Sequence, residues 1–202
     1  MKKIMFNDKY GLTRAVLEGH KIMTRRIITD IYAEARLQEL WKYGKVGGAD
    51  WNFILNSVAQ YKVGEEVAIA QRYRDIADMK YVKNQLAANE ENLQTLRLSA
   101  GWNNNMFTKA YYMPNHIKMT ARQIERLQDI SDDDCIREGV QEFSPCSETG
   151  GPVYCFLDPN DAWDWLYYTP REAFKSVLGK CYGIRAWDYN PWVVAYTFYL
   201  VR

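Results

Sequence analysis

A chain of 202 residues, 48% hydrophobic and 25% charged, has the length of one domain and the composition of an ordinary globular protein that needs no disulfide staples. A net charge of +1 lacks the basic excess that a long nucleic-acid duplex calls for, and leaves a small nucleic-acid ligand or a single nucleotide allowed. With no C-x-x-C pair among Cys135, Cys146, Cys155 and Cys181, only His20 and His116 as imidazoles, no signal peptide and no run of ~18 apolar residues, the sequence points to no metal, no cofactor and no membrane, and to a reducing, cytoplasmic setting.

In chain order, residues 3–6 read as a short apolar strand. A helix follows from Asn7 or Asp8, either of which can cap it, with Leu12, Ala15 and Val16 on one face and Gly19 as its left-handed stop. Residues 23–28 read as a strand. Residues 30–43 have helical periodicity through Ile31, Leu37, Leu40 and Trp41, and Gly44, Gly47 and Gly48 break it. Residues 50–59 are apolar and fit helix or strand. A turn at 61–66 precedes a strand at 67–71. Residues 75–96 are charged and helical with few bulky apolar side chains, which predicts a surface helix on an insertion, and 99–105 reads as a loop.

The second half carries the clearest signals. From His116 to Leu127, Ile117, Met119 and Ala121 alternate with Lys118, Thr120 and Arg122, the period of a half-buried strand. Ser131 can cap a short helix that ends at Gly139, with Asp134 at the capping-box position and Ile130 able to staple onto Cys135. Residues 141–160 are loop-like, with a short hairpin around 153–157. Thr169, Pro170 and Glu172 open a helix running to about Leu178, and 192–201 is an apolar closing strand. Strands scattered among helices, without regular βαβ alternation, predict an α+β fold with a mostly antiparallel sheet or barrel. The 15 tyrosines and 7 tryptophans suit either the core of a small barrel or a pocket for a flat ligand.

Three places could carry chemistry. Around Gly19, the run His20-Lys21-Ile22-Met23-Thr24-Arg25-Arg26 sets a lysine, a hydroxyl and two guanidinium groups just after a helix stop. Desolvation or neighbouring cations lower a lysine's pKa, and such a lysine beside a threonine can activate a weak nucleophile. Glu138 ends its helix, where the macrodipole favours cations such as Arg137; a carboxylate there is a candidate general acid or base. The strand face His116, Lys118, Thr120, Arg122 is basic and could touch phosphate. Each place also has a plain reading: a solvated strand end, an exposed glutamate, the wet face of a sheet. The common P-loop, dinucleotide, zincin and nucleophile-elbow signatures are absent.

Taken together these residues resemble the ASCH family, in the form that bacteriophages encode. Gly19, Lys21, Thr24 and Arg26 match its signature, G-x-K-x-x-[ET]-x-R, although His20 departs from the arginine common there. Met113-Pro114, the strand from His116, Gln128-Asp129-Ile130-Ser131, Arg137-Glu138-Gly139-Val140 and Asn190-Pro191-Trp192 follow in the family's order. The resemblance implies a PUA-like, mostly antiparallel β-barrel with flanking helices, spanning residues 1–202 as one domain with insertions near 29–60 and 74–105. It implies a nucleoside or single-stranded RNA pocket lined by Gly19, Arg26, Lys118 and Arg122. Some bacterial members are amidohydrolases that deacetylate N4-acetylcytidine, and their lysine, threonine and glutamate correspond to Lys21, Thr24 and Glu138. In that reading Thr24 attacks the amide carbonyl, Lys21 takes its proton, Glu138 serves the leaving amine, and Arg26 positions the substrate or its oxyanion. The alternatives are a non-catalytic RNA or nucleotide reader and a phage interaction protein working through its inserted helices with a partner the sequence does not name.

Overall fold

The apolar run at the C-terminus forms the strand around which everything else is arranged. The computed structural model describes residues 1–88, 92–143, 150–156 and 166–201. Its main sheet contains β1 (Lys3–Ile4), β2 (Met23–Ile27), β3 (Glu66–Ile69), β4 (His116–Arg126) and β7 (Trp192–Val201), in the order β1-β3-β4-β7-β2. Only the β1–β3 pair is parallel. A separate pair joins β5 (Gln141–Phe143) to β6 (Val153–Cys155), with a bridge from Tyr154 to Tyr167. The hairpin expected around 153–157 therefore has its partner at 141–143, and its last residue, like Cys146, lies outside the described residues.

The fold is α+β, but its main sheet is not a closed barrel. β7, expected to close the sheet, lies inside it between β4 and β2. Among the described residues no ladder joins the two edges, β1 and β2. One edge is only two residues long, and the exposed start of the other is covered by a helix end, where the Ile22 amide donates to the Arg137 carbonyl at 2.8 Å. Short and covered edges manage the pairing hazard that closure would otherwise remove.

One residue resets the pattern of β4. Ile117 and Met119 are buried, but the register against β7 slips between Met119 and Ala121, and the next buried residue is Ile124. Side chains alternate strictly along a strand, so an extra residue exchanges the faces beyond it. The basic row Lys118, Thr120, Arg122 expected on one face is thereby split. Ala121 becomes exposed, and Arg122 turns onto the face of Tyr196, its cross-strand partner.

Nine helices are described. α1 (Leu12–Leu17) follows a 3-10 turn at Asp8–Tyr10, because Gly11 at φ +64° interrupts the single helix the sequence suggests. α2 (Ile31–Lys42), capped by Asp30, and α3 (Ala49–Val58) form a hairpin; the ambiguous stretch 50–59 is helix. Leu37, Leu40, Trp51 and Ile54 pack with Trp192, Val194 and Tyr196 of β7 in the main core. Segment 75–96 is not a plain surface helix. It is α4 (Tyr73–Ile76), α5 (Lys80–Ala88) and α6 (Leu93–Leu98), and Ile76, Val82, Leu86 and Leu96 build a small core with Tyr73, Tyr112 and Met113. Few apolar residues suffice because Tyr73 and Tyr112 fill its centre, edge to face at 5.8 Å. On the sheet's other side, α7 (Asp132–Arg137) and α8 (Pro170–Tyr182) enclose a third cluster through Cys135, Ala173, Phe174 and Leu178 against Val193. α8 starts at its Thr169 cap as expected but runs past Leu178, and α9 (Ala186–Tyr189) has no sequence signal strong enough to foresee. No helix of the described residues is long and apolar enough to cross a membrane.

Candidate active site

Two glycine helix stops assemble the site. At the end of α1, the amides of Gly19 and His20 donate to the carbonyls of Val16 and Ala15, at 3.0 and 2.8 Å. At the end of α7, Gly139 and Val140 donate to Ile136 and Cys135, at 2.9 and 3.2 Å. Both are Schellman motifs, with glycine at φ +81° and φ +107°. The first reverses the chain so that Lys21 precedes β2. The second fixes Glu138 as the C-cap that follows α7, and the Ile22–Arg137 hydrogen bond ties the two ends together. The Cβ that Gly139 lacks would sit 3.3 Å from Cβ of Lys21, so the glycine also permits the approach.

Lys21 Nζ donates to a carboxylate oxygen of Glu138 and, at 2.7 Å, to the Glu138 main-chain carbonyl. Their side chains are 3% and 5% exposed. The lysine occupies the negative end of α7, the place where a cation is favoured, and this resolves the oddity of a glutamate there. Burial pulls the pKa of Lys21 down, the Glu138 carboxylate opposes this, and Arg26 and Arg25 add to the fall. The direction matches the sequence expectation, but desolvation is the largest cause, ahead of the neighbouring cations.

Arg25 is the structural residue that sequence reasoning missed. Its guanidinium, 2% exposed, reaches Glu125 at 2.6 Å, Asp134 at 2.7 Å and Glu138 at 3.2 Å. Burial works against its charge, but Glu138, Glu125 and Asp134 outweigh that and raise its pKa. Asp134, expected to serve a capping box, thus spends its carboxylate on Arg25, while Ser131 Oγ accepts from the Asp134 amide at 3.1 Å as expected. Glu138 is held by cations from two sides, and its position is over-determined.

Lys21, Thr24, Arg26 and Glu138 all line one cavity of about 530 Å³. Thr24 is 5% exposed. Phe6 lies beneath Lys21 and Arg26, with its ring centroid 5.9 and 6.0 Å from their charges. Phe156, Phe174 and Leu178 give an apolar wall, and Asn103, Asn104 and Asn105 give a wall of amides. The flat surfaces are Phe6, Phe156, Phe174 and Tyr182, whereas Tyr196 and Trp192 are core residues. The asparagines come from the stretch read only as a loop. Lys3 Nζ anchors that stretch by donating to the carbonyls of Met106 at 2.6 Å and Thr108 at 2.5 Å. Nothing local marks these residues, since the contact spans a hundred positions. Cys181 also lines the cavity, but burial raises its thiol pKa, which keeps it protonated near neutrality.

No family model, curated protein or solved structure matches this chain.

The remaining expected ligand contacts do not converge on the cavity. Gly19 acts through its backbone as the helix stop and is not in the wall. Lys118 is exposed on β4 and lies outside the wall as well. Arg122 donates to the Tyr61 carbonyl at 3.3 Å and to the Asn56 side chain, which pins the α2–α3 hairpin to the sheet. Lysine, threonine, glutamate and Arg26 are therefore brought together, whereas Gly19, Lys118 and Arg122 are not. The wall offers a buried hydroxyl, an amine with a lowered pKa, a carboxylate beside it and a guanidinium, the parts that acyl transfer requires.

Proposed function

We propose that this chain is an ASCH-type protein that hydrolyses the N4-acyl amide of a pyrimidine nucleoside, N4-acetylcytidine being the reference substrate. The observation that carries the reading is the buried Lys21–Glu138 pair in the wall of the cavity that Thr24 also lines. A volume of about 530 Å³ is in the range of small-ligand pockets. Burial lowers the pKa of Lys21, and loss of its proton leaves Nζ with a free lone pair beside the Glu138 carboxylate. Thr24 Oγ attacks the acetyl carbonyl and its proton passes to Lys21. That proton moves on through the Glu138 carboxylate to the departing N4 amine, leaving acetyl-Thr24. Water then attacks the ester, its proton passing through Lys21 to Thr24 Oγ as acetic acid leaves. The test is deacetylation of N4-acetylcytidine by the wild type and by Lys21→Ala, Thr24→Ala and Glu138→Ala, with circular dichroism to check folding. Turnover lost in all three folded variants supports the site; no turnover by the wild type overturns this substrate.

A second reading, an interaction protein working through its inserted helices, has its own observation. Tyr32, Trp41, Tyr43 and Phe53 of the α2–α3 region are 82%, 52%, 64% and 75% exposed. Clustered exposed apolar side chains mark interaction surfaces. Sedimentation equilibrium of the wild type and Phe53→Glu tests the simplest partner, a second copy; a monomer at all concentrations argues against it.

A further inference from the structure

The two neighbouring arginines of β2 are in opposite situations. Arg25 is saturated by three carboxylates. Arg26 is half-buried in the cavity wall, and among the described residues no carboxylate pairs with it. Its Nη2 donates to the Met5 carbonyl at 2.6 Å, and its charge lies 6.0 Å from the Phe6 centroid. A guanidinium has five N–H donors in a rigid fork, so one carbonyl leaves most of that capacity open. A half-buried guanidinium without a counter-ion is open to an anion, and its fork fits phosphate oxygens in pairs.

We propose that the cavity recognises a phosphate group through Arg26, so that its ligand is a pyrimidine nucleotide rather than a free nucleoside. This rests on the nucleoside reading of the cavity and names the charged part of the ligand. Lys9, exposed at the rim, and Arg72, which is already paired with Asp75 at 2.6 Å, are further cations of the wall that a phosphate can reach. Asp8, the acidic lining residue beside it, accepts hydrogen bonds from Thr13 and, at 3.3 Å, from Asn105. Its negative charge disfavours phosphate on that side and leaves Arg26 as the anchor.

The phosphate can belong to a free nucleotide or to the backbone of an RNA strand, and the titration separates these. Cytidine, cytidine 5′-monophosphate and a short oligoribonucleotide with an internal cytidine and no terminal phosphate are titrated calorimetrically into the wild type, Arg26→Gln and Arg26→Lys. The wild type binds the monophosphate more tightly than cytidine by about tenfold or more, the size of a charge-assisted hydrogen bond. Arg26→Gln collapses that ratio towards one, and Arg26→Lys retains part of it. An oligonucleotide that outbinds cytidine by a similar factor while the monophosphate does not assigns the contact to an RNA backbone phosphate, and its advantage must then vanish in Arg26→Gln. Equal binding of all three ligands by the wild type, no saturable binding of either phosphate-bearing ligand, or a preference that survives Arg26→Gln overturns the proposal. Because the readout is binding, a phosphate preference without any deacetylation would remove the hydrolase reading and leave this one standing.

Discussion

Lys21 and Glu138 stand 117 residues apart in the chain and meet as a buried ion pair, with the lysine also bonded to the glutamate's own main-chain carbonyl. Their environments are not equivalent. Among the described residues Lys21 depends on Glu138 alone for a carboxylate, whereas Glu138 also has Arg25.

This asymmetry predicts unequal costs of removal. Glu138→Leu strands Lys21 and takes one of three carboxylates from Arg25, so it is expected to destabilise by about 3–5 kcal/mol, the cost of an orphaned buried charge. Lys21→Met leaves Glu138 paired to Arg25 and should cost less, about 1–3 kcal/mol. The double variant should be more stable than Glu138→Leu alone, because the buried cation has gone with its partner. Urea denaturation of the three proteins checks this ranking; equal losses in the two single variants would contradict it.

The lowered pKa of Lys21 predicts a pH dependence whose sign is unusual. In the unfolded chain the lysine titrates near 10.5; in the folded protein burial moves it lower. Between those two values the unfolded state binds more protons, so this group's contribution rises with pH. Below the folded value the cost of burying the cation is constant, and above 10.5 it has been relieved. Cys135, raised to about 12 by burial, contributes in the opposite direction above its ordinary value of 9.0, so the wild type alone would mix the two. The quantity to measure is the stability of the wild type minus that of Lys21→Met in urea as pH is raised towards 10.5. That difference should grow with pH; a flat difference would show that Lys21 titrates normally.

The two helix-stop glycines make a matched pair. Gly19→Ala meets no atom within 4 Å and carries only the cost of its positive φ, about 1 kcal/mol. Gly139→Ala carries the same cost and also drives a methyl against Lys21 at 3.3 Å. It should lose more stability, about 1–3 kcal/mol, and activity should fall with it because the lysine is displaced. Gly19→Ala should keep its activity at a temperature where it remains folded. Measuring melting and turnover on both variants tests whether the second stop serves the site as well as the fold.

Much of this was legible in the sequence, and the limits have physical causes. The caps at Ser131 and Thr169 and the stops at Gly19 and Gly139 are local chemistry, and they stand where the sequence puts them. Lys21, Thr24 and Glu138 could be singled out because each is odd in its local setting. The basic strand face was an extrapolation from periodicity, and the closed barrel was what the family resemblance implied. Periodicity reports which residues share a face, but it cannot report which strands become neighbours, and one extra residue after Met119 reverses it. Arg25 was hidden for a related reason: Glu125, Asp134 and Glu138 look like three unrelated surface acids until the fold gathers them.

The same bulge yields a negative prediction. Lys118 is exposed and outside the cavity wall, so Lys118→Ala should leave ligand binding unchanged and stability within about 0.5 kcal/mol. Arg122→Ala, which frees Asn56 and the Tyr61 carbonyl, should instead destabilise by about 1–2 kcal/mol without a specific effect on ligand affinity. Calorimetric titration of both variants with cytidine 5′-monophosphate decides this; parallel losses of affinity would mean that the two form a ligand face after all.

The most direct prediction concerns Thr24. If its hydroxyl is the nucleophile, acetyl transfer passes through an ester on this side chain. Thr24→Ser keeps the hydroxyl and should retain measurable turnover. Thr24→Val keeps the shape but has no oxygen and should lose turnover by at least about a hundredfold. Cys181, the other potential nucleophile in the wall, is held protonated by burial, so Cys181→Ala should not abolish turnover. Rapid acid quenching during turnover, followed by peptide mass spectrometry, should find one acetyl group on the peptide containing Thr24 in the wild type and none in Thr24→Val. Turnover that survives Thr24→Val would exclude the covalent route. It would leave Lys21 and Glu138 to activate water directly, and the buried threonine would then be a wall of the cavity and nothing more.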